Sequence, residues 1–537
     1  MRSSTTVFRN ATVFDGSAYR GAVGDVVVVD GRISAVDEDA APVGATVVDV
    51  AGGLLLPGFT DAHVHPVQGG LERLGCDLSG LPADRDAYLA HLRAHAAAHP
   101  DLAWIQGGGW AMAAFPGGLP TAAELDEAVP DRPVALANRD HHGMWVNTRA
   151  LEVAGITAAT PDPDDGHVER DTGGHPTGVL HEGAMGLLAA VLPVADDAQM
   201  HAAFLEGQRH LLSLGITSWQ DAIVGAYSGM RDPGPTYARA AAAGDLVATV
   251  VGALWWDRDR GSEQVAELVE KREEWTRGRF SATAVKIMQD GVAENGTAAL
   301  VEPYLDRCGH ATGNSGISFV DPQLLRDHVR ALDANGFQVH FHGLGDRGVR
   351  EALDALEGSS PTRRHHVAHL QLVHPDDVAR FGRLGVAANI QALWACLDDQ
   401  MTELTIPFLG SERAARQYPF ADLHAAGARL VAGSDWPVST PDPLAAIHTA
   451  VHRTSYGEPA PAGTDPFLPE QALPAEVAFA AYTSGSAWVN HRDDAGRIVP
   501  GAVADLVVLD RDPFREGEIG AARVRSTWID GTCVHEA

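Results

Sequence analysis

The sequence predicts an α/β fold: a distorted (β/α)8 barrel with a large insertion after its first strand, plus a small β-sandwich made from both termini. Three observations predict it. Through the middle of the chain, short apolar strands alternate with helical stretches, as in βα units on a parallel sheet. Both ends instead carry short β-rich runs punctuated by Gly and Asp. The ends of the middle strands carry His, Lys and Asp side chains, in the place where barrels build their sites.

Residues 1–56 hold TVFRNATVF, DVVVVDGRISAVD and ATVVDVAGGLLL, strand-like runs marked by DG and GG. Residues 485–537 repeat the pattern with RIVPGAVADLVVLD and VRSTWIDGTCVHEA. Neither piece is large enough to bury its own core, so the two are expected to pair. The barrel is assigned to 57–484. Its strands are expected at 57–65, ITSWQD (216–221), LVATVVGAL (246–254), TAVKIM (283–288), FQVHFH (337–342), HHVAHL (365–370), GVAANIQ (385–391) and RLVAGSD (429–435). Helical stretches such as DPQLLRDHVRALDAN and DDVARFGRLG lie between them. Residues 66–215 form the insertion, with strands of their own in WIQGGGW and PVALANRD.

The 537 residues are 45% hydrophobic, enough for a packed core. Forty basic against 71 acidic residues leave a net charge of −31, which repels nucleic acid and anionic membranes. No apolar run is long enough to span a bilayer. Cys76, Cys308, Cys396 and Cys533 are scattered without a CxxC pair. That argues against a disulfide framework or a thiolate zinc site and favours a reducing, cytoplasmic compartment. The start, MRSSTTVFRNATVFDG, lacks the apolar core of a secretory leader.

In PGFTDAHVHP (57–66), Asp61, His63 and His65 fall in one phase of a strand and share a face. Polar groups in an apolar interior are costly unless partnered. Further strand ends supply Lys286, His342 (with His340 in phase), His369 and Asp435. In a barrel these ends converge on one face. The candidate metal ligands are therefore His63, His65, Lys286, His342, His369 and Asp435. Their nitrogen and oxygen donors suit zinc first, and also manganese or iron, at one or two cations per chain. Lys286, among apolar strand residues, either pairs with Asp290 or is carboxylated by carbon dioxide into an anionic ligand that can bridge two cations. Asp435 is a turn or cap residue, or else ligand and catalytic base. His340 is a candidate catalytic residue, through substrate contact or support of its neighbours.

PGFTDAHVHP, KIMQDG, HGLGDRG, VAHLQLVHPDDV and GSDWPVSTPDPL together resemble the amidohydrolase superfamily, and within it the branch of N-substituted formamide deformylases and YtcJ-like proteins. GGGW (107–110), RDHHGMWVNTRAL, HPTGVLHEGAM and LGITSWQDA extend the resemblance over nearly the whole chain. HGLGD departs from the HAIGD usual in that branch but leaves the candidate ligand in place. The resemblance implies a metal-bearing barrel with a composite terminal sandwich. It also implies His63, His65 and Asp435 on one metal, His342 and His369 on another, and carboxylated Lys286 between them.

The activity implied is hydrolysis of a C–N bond in a small-molecule amide, N-substituted formamide or a related linear amide. A cation lowers the pKa of its water toward about 7, making hydroxide available for attack, and Asp435 relays the proton to the leaving amine. Two alternatives are a mononuclear cyclic amidase or deaminase with unmodified Lys286, and a non-catalytic, metal-binding regulatory barrel. Trp110, His142, Trp145 and Trp394 are candidates for the pocket wall, which would suit an aryl or alkyl amide. The superfamily also suggests a homodimer.

Overall fold

The computed structural model describes residues 5–38, 44–227, 230–456, 465–515 and 519–537; the opening residues 1–4 of the expected N-terminal segment lie outside this set. Eight strands form the central sheet: β1 Phe59–Val64, β2 Ile216–Val224, β3 Thr249–Trp255, β4 Phe280–Met288, β5 Gln338–Gly343, β6 His366–His369, β7 Ala387–Ile390 and β8 Leu430–Ala432. Each pairs in parallel with its neighbour in chain order. All eight expected strands are present. Burial shapes them: β1, β5, β6, β7 and β8 are buried at every position, so their polar residues, such as Asp61, His340 and Asn389, must find partners inside.

The two edges meet at the loop after β8. There the Asp435 N–H donates to the His63 carbonyl at 2.7 Å, and the His65 N–H donates to the Trp436 carbonyl at 2.8 Å. The sheet is thus a nearly closed barrel, joined at its seam by the backbone of candidate site residues.

Local sequence starts and stops the outer helices. Asp321 caps the helix Pro322–Ala334 by accepting from the Gln323 and Leu324 N–H groups, with Pro322 at its first position. The helix Pro375–Leu384 ends at Gly385, whose φ of 68° is the left-handed turn that releases a helix.

Between β1 and β2 lies a six-stranded mixed sheet, ordered 166–170, 176–182, 143–146, 134–138, 105–110, 76–77. It has its own core. Trp110 and Trp145, 1% and 0% exposed, pack edge-to-face with ring centres 5.8 Å apart. Their indole N–H groups donate to the carbonyls of Leu136 (2.9 Å) and Thr121 (2.8 Å). Both tryptophans, expected on the pocket wall, are core residues of the insertion, because an indole with a buried backbone partner is satisfied inside.

Strands from both ends of the chain share one further six-stranded sheet. Leu54–Pro57 pairs antiparallel with Leu506–Leu509, Leu56 facing Val507. A four-stranded sheet of 5–9, 25–29, 32–38 and 46–49 accompanies it. Pro57 leads through Gly58 directly into β1. Among the described residues no helix is long and apolar enough to cross a membrane.

Candidate active site

His63 and His65 leave the end of β1, Lys286 comes from β4, His342 from β5, His369 from β6 and Asp435 from the loop after β8. All six open on a single cavity of about 520 Å³. Asp435 Oδ1 lies 3.0 Å from His65 Nε2 and 3.1 Å from His63 Nε2, and its Oδ2 lies 3.9 Å from His369 Nδ1. Asp435 and His369 have φ of 57° and 81°. Such a backbone is strained outside glycine, at about 1–3 kcal/mol per residue, and persists where the surroundings dictate it. Gly433 lets the loop approach: a Cβ there would lie 2.6 Å from the His63 backbone nitrogen. Asp61, third member of the first-strand face, ties the same seam by accepting from the His63 N–H (3.0 Å) and the Ser434 N–H (3.1 Å).

A chain of amides sets the proton position on His63. The Gln338 amide NH2 donates to the carbonyls of Arg364 (2.8 Å) and Val489 (2.7 Å), so its Oε1 is an acceptor. Oε1 accepts from Gln220 Nε2 at 2.9 Å. Gln220 Oε1 must then accept from His340 Nδ1 (2.6 Å) and His366 Nε2 (2.9 Å). That leaves His340 Nε2 as a bare acceptor, 2.9 Å from His63 Nδ1. His63 therefore carries its proton on Nδ1 and turns a lone pair on Nε2 toward Asp435. Burial, reinforced by Lys286, pushes the His63 imidazolium down to about 3, which keeps the ring neutral. Burial opposes ionisation of Asp435, and its carboxyl is held well below the usual range only where the imidazoles around it, His63 first, are charged or donate a hydrogen bond to it. In the tautomer that the amide chain sets, the His63 Nε2 lone pair faces Asp435 Oδ1 at 3.1 Å. That contact is favourable only with a proton or a cation between the two atoms.

The remaining donors tell the same story. Both ring nitrogens of His369 are buried without a hydrogen-bond partner, as is Lys286 Nζ. Buried polar groups in folded proteins are ordinarily paired. His342 Nδ1 lies 3.2 Å from Asp290 Oδ1. A carboxylate behind one ring nitrogen frees the other as a donor, the usual support of a metal-bound imidazole. Asp290 does not pair with Lys286. It accepts instead from the N–H groups of Leu344 (3.0 Å), Gly345 (2.8 Å) and Ala299 (3.0 Å). Burial pushes the Lys286 ammonium down to about 7, against the pull of Asp435. Nitrogen and oxygen donors around one zinc, each roughly 2.0–2.2 Å from it, sit roughly 3.3 Å from one another. The spacings about Asp435 fit that arrangement.

His340 is 0% exposed and touches His63 and Gln220 in place of the cavity. Of the four expected wall residues, His142 lines the cavity. Trp394 does not line it; it stacks on His369 at 5.4 Å. Trp104 and Tyr227 line the cavity, and sequence reasoning did not single them out. His142 Nδ1 lies 2.9 Å from both carboxylate oxygens of Glu182. Burial would lower the His142 pKa, but Glu182 overrides it and pushes it up to about 9. A cationic ring therefore stands on the wall with its centre 5.7 Å from that of His342.

Fold and site together define a class: a parallel barrel whose strand ends gather buried imidazole, carboxylate and lysine donors at the floor of one cavity. The chain belongs to the amidohydrolase family, whose profile matches residues 46–535. It is 29% identical over 496 residues to the Bacillus subtilis protein YtcJ, covering 91% of this chain and 90% of that one. It is 29% identical over 566 residues to the N-substituted formamide deformylase of Arthrobacter pascens, covering 98% and 97%. The Arabidopsis thaliana protein LONG AFTER FAR-RED 3 is 28% identical over 547 residues, covering 97% and 90%. The crystal structure of an uncharacterized metal-dependent hydrolase from Pyrococcus horikoshii superposes with a TM-score of 0.73 at 25% identity, covering 96% of this chain and 99% of that one.

Proposed function

We propose that this protein is a metal-dependent hydrolase that cleaves the C–N bond of a small linear amide, with N-substituted formamides as the first substrates to test. The observation that carries this reading is the convergence of His63, His65 and Asp435 within 3.1 Å contacts, beside the unpartnered nitrogens of His369 and Lys286, in a cavity open to solvent. The formamide assignment is supported by the 29% identity to a deformylase over nearly the whole chain.

His63, His65 and Asp435 would hold one divalent cation, His342 and His369 a second, with Lys286, carboxylated on Nζ, between them. The unpartnered Nζ, with its pKa near 7, supports the last assignment: a neutral buried amine is the form that adds carbon dioxide. Bound cations would supply Lewis acidity and a water that ionises near neutral pH. Asp435 accepts the proton of the attacking water and returns it to the departing nitrogen, which leaves slowly as an unprotonated amide anion. His142, held cationic by Glu182, places a positive charge on the wall where the carbonyl oxygen gains negative charge. The insertion closes the cavity on the side away from the barrel and sets which substituents fit.

His340 acts through His63, by accepting its Nδ1 proton. Replacing His340 with Phe fills the space and removes the acceptor. Metal affinity is expected to fall about 10–100-fold, with turnover per bound metal little changed. Competition with a chromophoric chelator reads the affinity; an unchanged value would show that the relay does nothing.

A panel of N-substituted formamides, acylated amines and cyclic ureides, assayed with zinc or manganese, tests the function. Formamide hydrolysis with two metals bound at the barrel centre supports the reading. Ureide opening or deamination with one metal bound at the barrel centre replaces it with a mononuclear cyclic amidase. Bound metal without turnover of any compound points to a regulatory barrel.

A further inference from the structure

A second group of metal-type donors lies in the insertion, on the hairpin of Gly166–Arg170 and Pro176–Glu182. His167 and Glu169 are two residues apart on one strand and so share a face. His181 is the cross-strand partner of His167 and projects on the same side. The two imidazoles stack with centres 4.5 Å apart at 23°. Glu169 Oε1 lies 2.9 Å from His167 Nε2 and 3.3 Å from His181 Nε2.

His181 carries the decisive observation. It is 3% exposed, and neither of its ring nitrogens has a hydrogen-bond partner; the 3.3 Å approach to Glu169 lacks hydrogen-bond geometry. A neutral imidazole inside a protein ordinarily satisfies both its donor and its acceptor. One donor atom from each of His167, Glu169 and His181 falls within a 4.8 Å span. Two imidazole nitrogens and a carboxylate oxygen are a zinc donor set, with a further position open to water on the half-exposed His167 side.

We propose that His167, Glu169 and His181 bind a divalent transition-metal cation, zinc foremost, at a structural site separate from the barrel centre. The ion cross-links the two strands of the hairpin. Its consequence reaches the cavity through the pleat, because the next residue, Glu182, projects to the other face. There Glu182 meets His142 Nδ1 at 2.9 Å and accepts from Thr297 Oγ1 at 2.8 Å. Glu182 holds a φ of 49°, so its position depends on a strand that cannot slide. Fastening His181 fixes the carboxylate that keeps His142 in place.

The test uses the full chain, stripped with chelator and dialysed against zinc alone, with zinc per chain read by inductively coupled plasma mass spectrometry. His167→Asn and Glu169→Gln are expected to bind one zinc fewer per chain than the parent. Zinc is also expected to raise their unfolding midpoint less than that of the parent. The same loss of one zinc is expected when His167→Asn is added to a His63→Ala chain, whose barrel donor set is already broken. Both single substitutions fall on partly exposed residues, so folding is preserved without touching buried His181, and circular dichroism verifies it. Equal zinc content in the parent and both folded variants overturns the proposal. So does a loss that disappears in the His63→Ala chain, because the hairpin would then only be reporting on the barrel.

Discussion

Replacing Asp435 with Asn is expected to lower kcat by about 100- to 10,000-fold, the range for removing a positioned proton-transfer group, while most of the bound metal stays. The asparagine keeps an oxygen near His63 and His65, now 3.1 and 3.0 Å from Asp435 Oδ1. It cannot accept a proton from water or pass one to the leaving nitrogen. Metal content and kcat measured on the same preparation separate the two roles. Near-parental turnover would remove Asp435 from the proton path. Loss of metal in proportion to activity would reduce it to a ligand.

Lys286→Met is expected to cost more than the roughly 10–100-fold that follows loss of a ligand's supporting hydrogen bond, because it removes the group between the two donor sets. Methionine fills much of the space with no charge and no oxygen. A short carboxylic acid such as propionate, added in excess, should restore part of the activity by supplying the missing pair of oxygens. The parent enzyme gives a matching pH signature. Burial lowers the Lys286 pKa from 10.5 to about 7, so the reactive neutral amine accumulates as pH rises through about 7. Stripped enzyme reloaded with zinc and bicarbonate should therefore reactivate faster at pH 8 than at pH 6. Reactivation indifferent to bicarbonate, or full activity in the methionine variant, would show that Lys286 carries no carboxylate.

What was legible in the sequence followed from burial. Strands covered on both faces are rich in apolar residues, so the eight runs stood out, and a titratable residue at the end of such a run was conspicuous. His63, His65, Lys286, His342, His369 and Asp435 were visible for that reason. Gln220, Gln338 and Asn389 were not. Each is a polar residue in a strand, and its meaning lies in partners up to 327 residues away, such as Ala62, whose carbonyl accepts from Asn389. His340 shares a phase with His342, and phase alone left open whether it contacts substrate or supports its neighbours. Only the placement of Gln220 beside His340 separates the ring behind the donors from the ring among them. Trp110 and Trp145 misled because their size suggests a wall, whereas each indole N–H already has a carbonyl partner in the core.

The seam of the barrel has a mechanical consequence. The first and eighth strands are joined by few main-chain bonds, and those bonds belong to His63, His65, Asp435 and Trp436. A cation gripped by side chains on both sides of that line acts as a rivet. Chelation should therefore be felt first as faster deuterium uptake at these amides, with the opposite side of the cylinder undisturbed, so that the protein unzips from its own reaction centre.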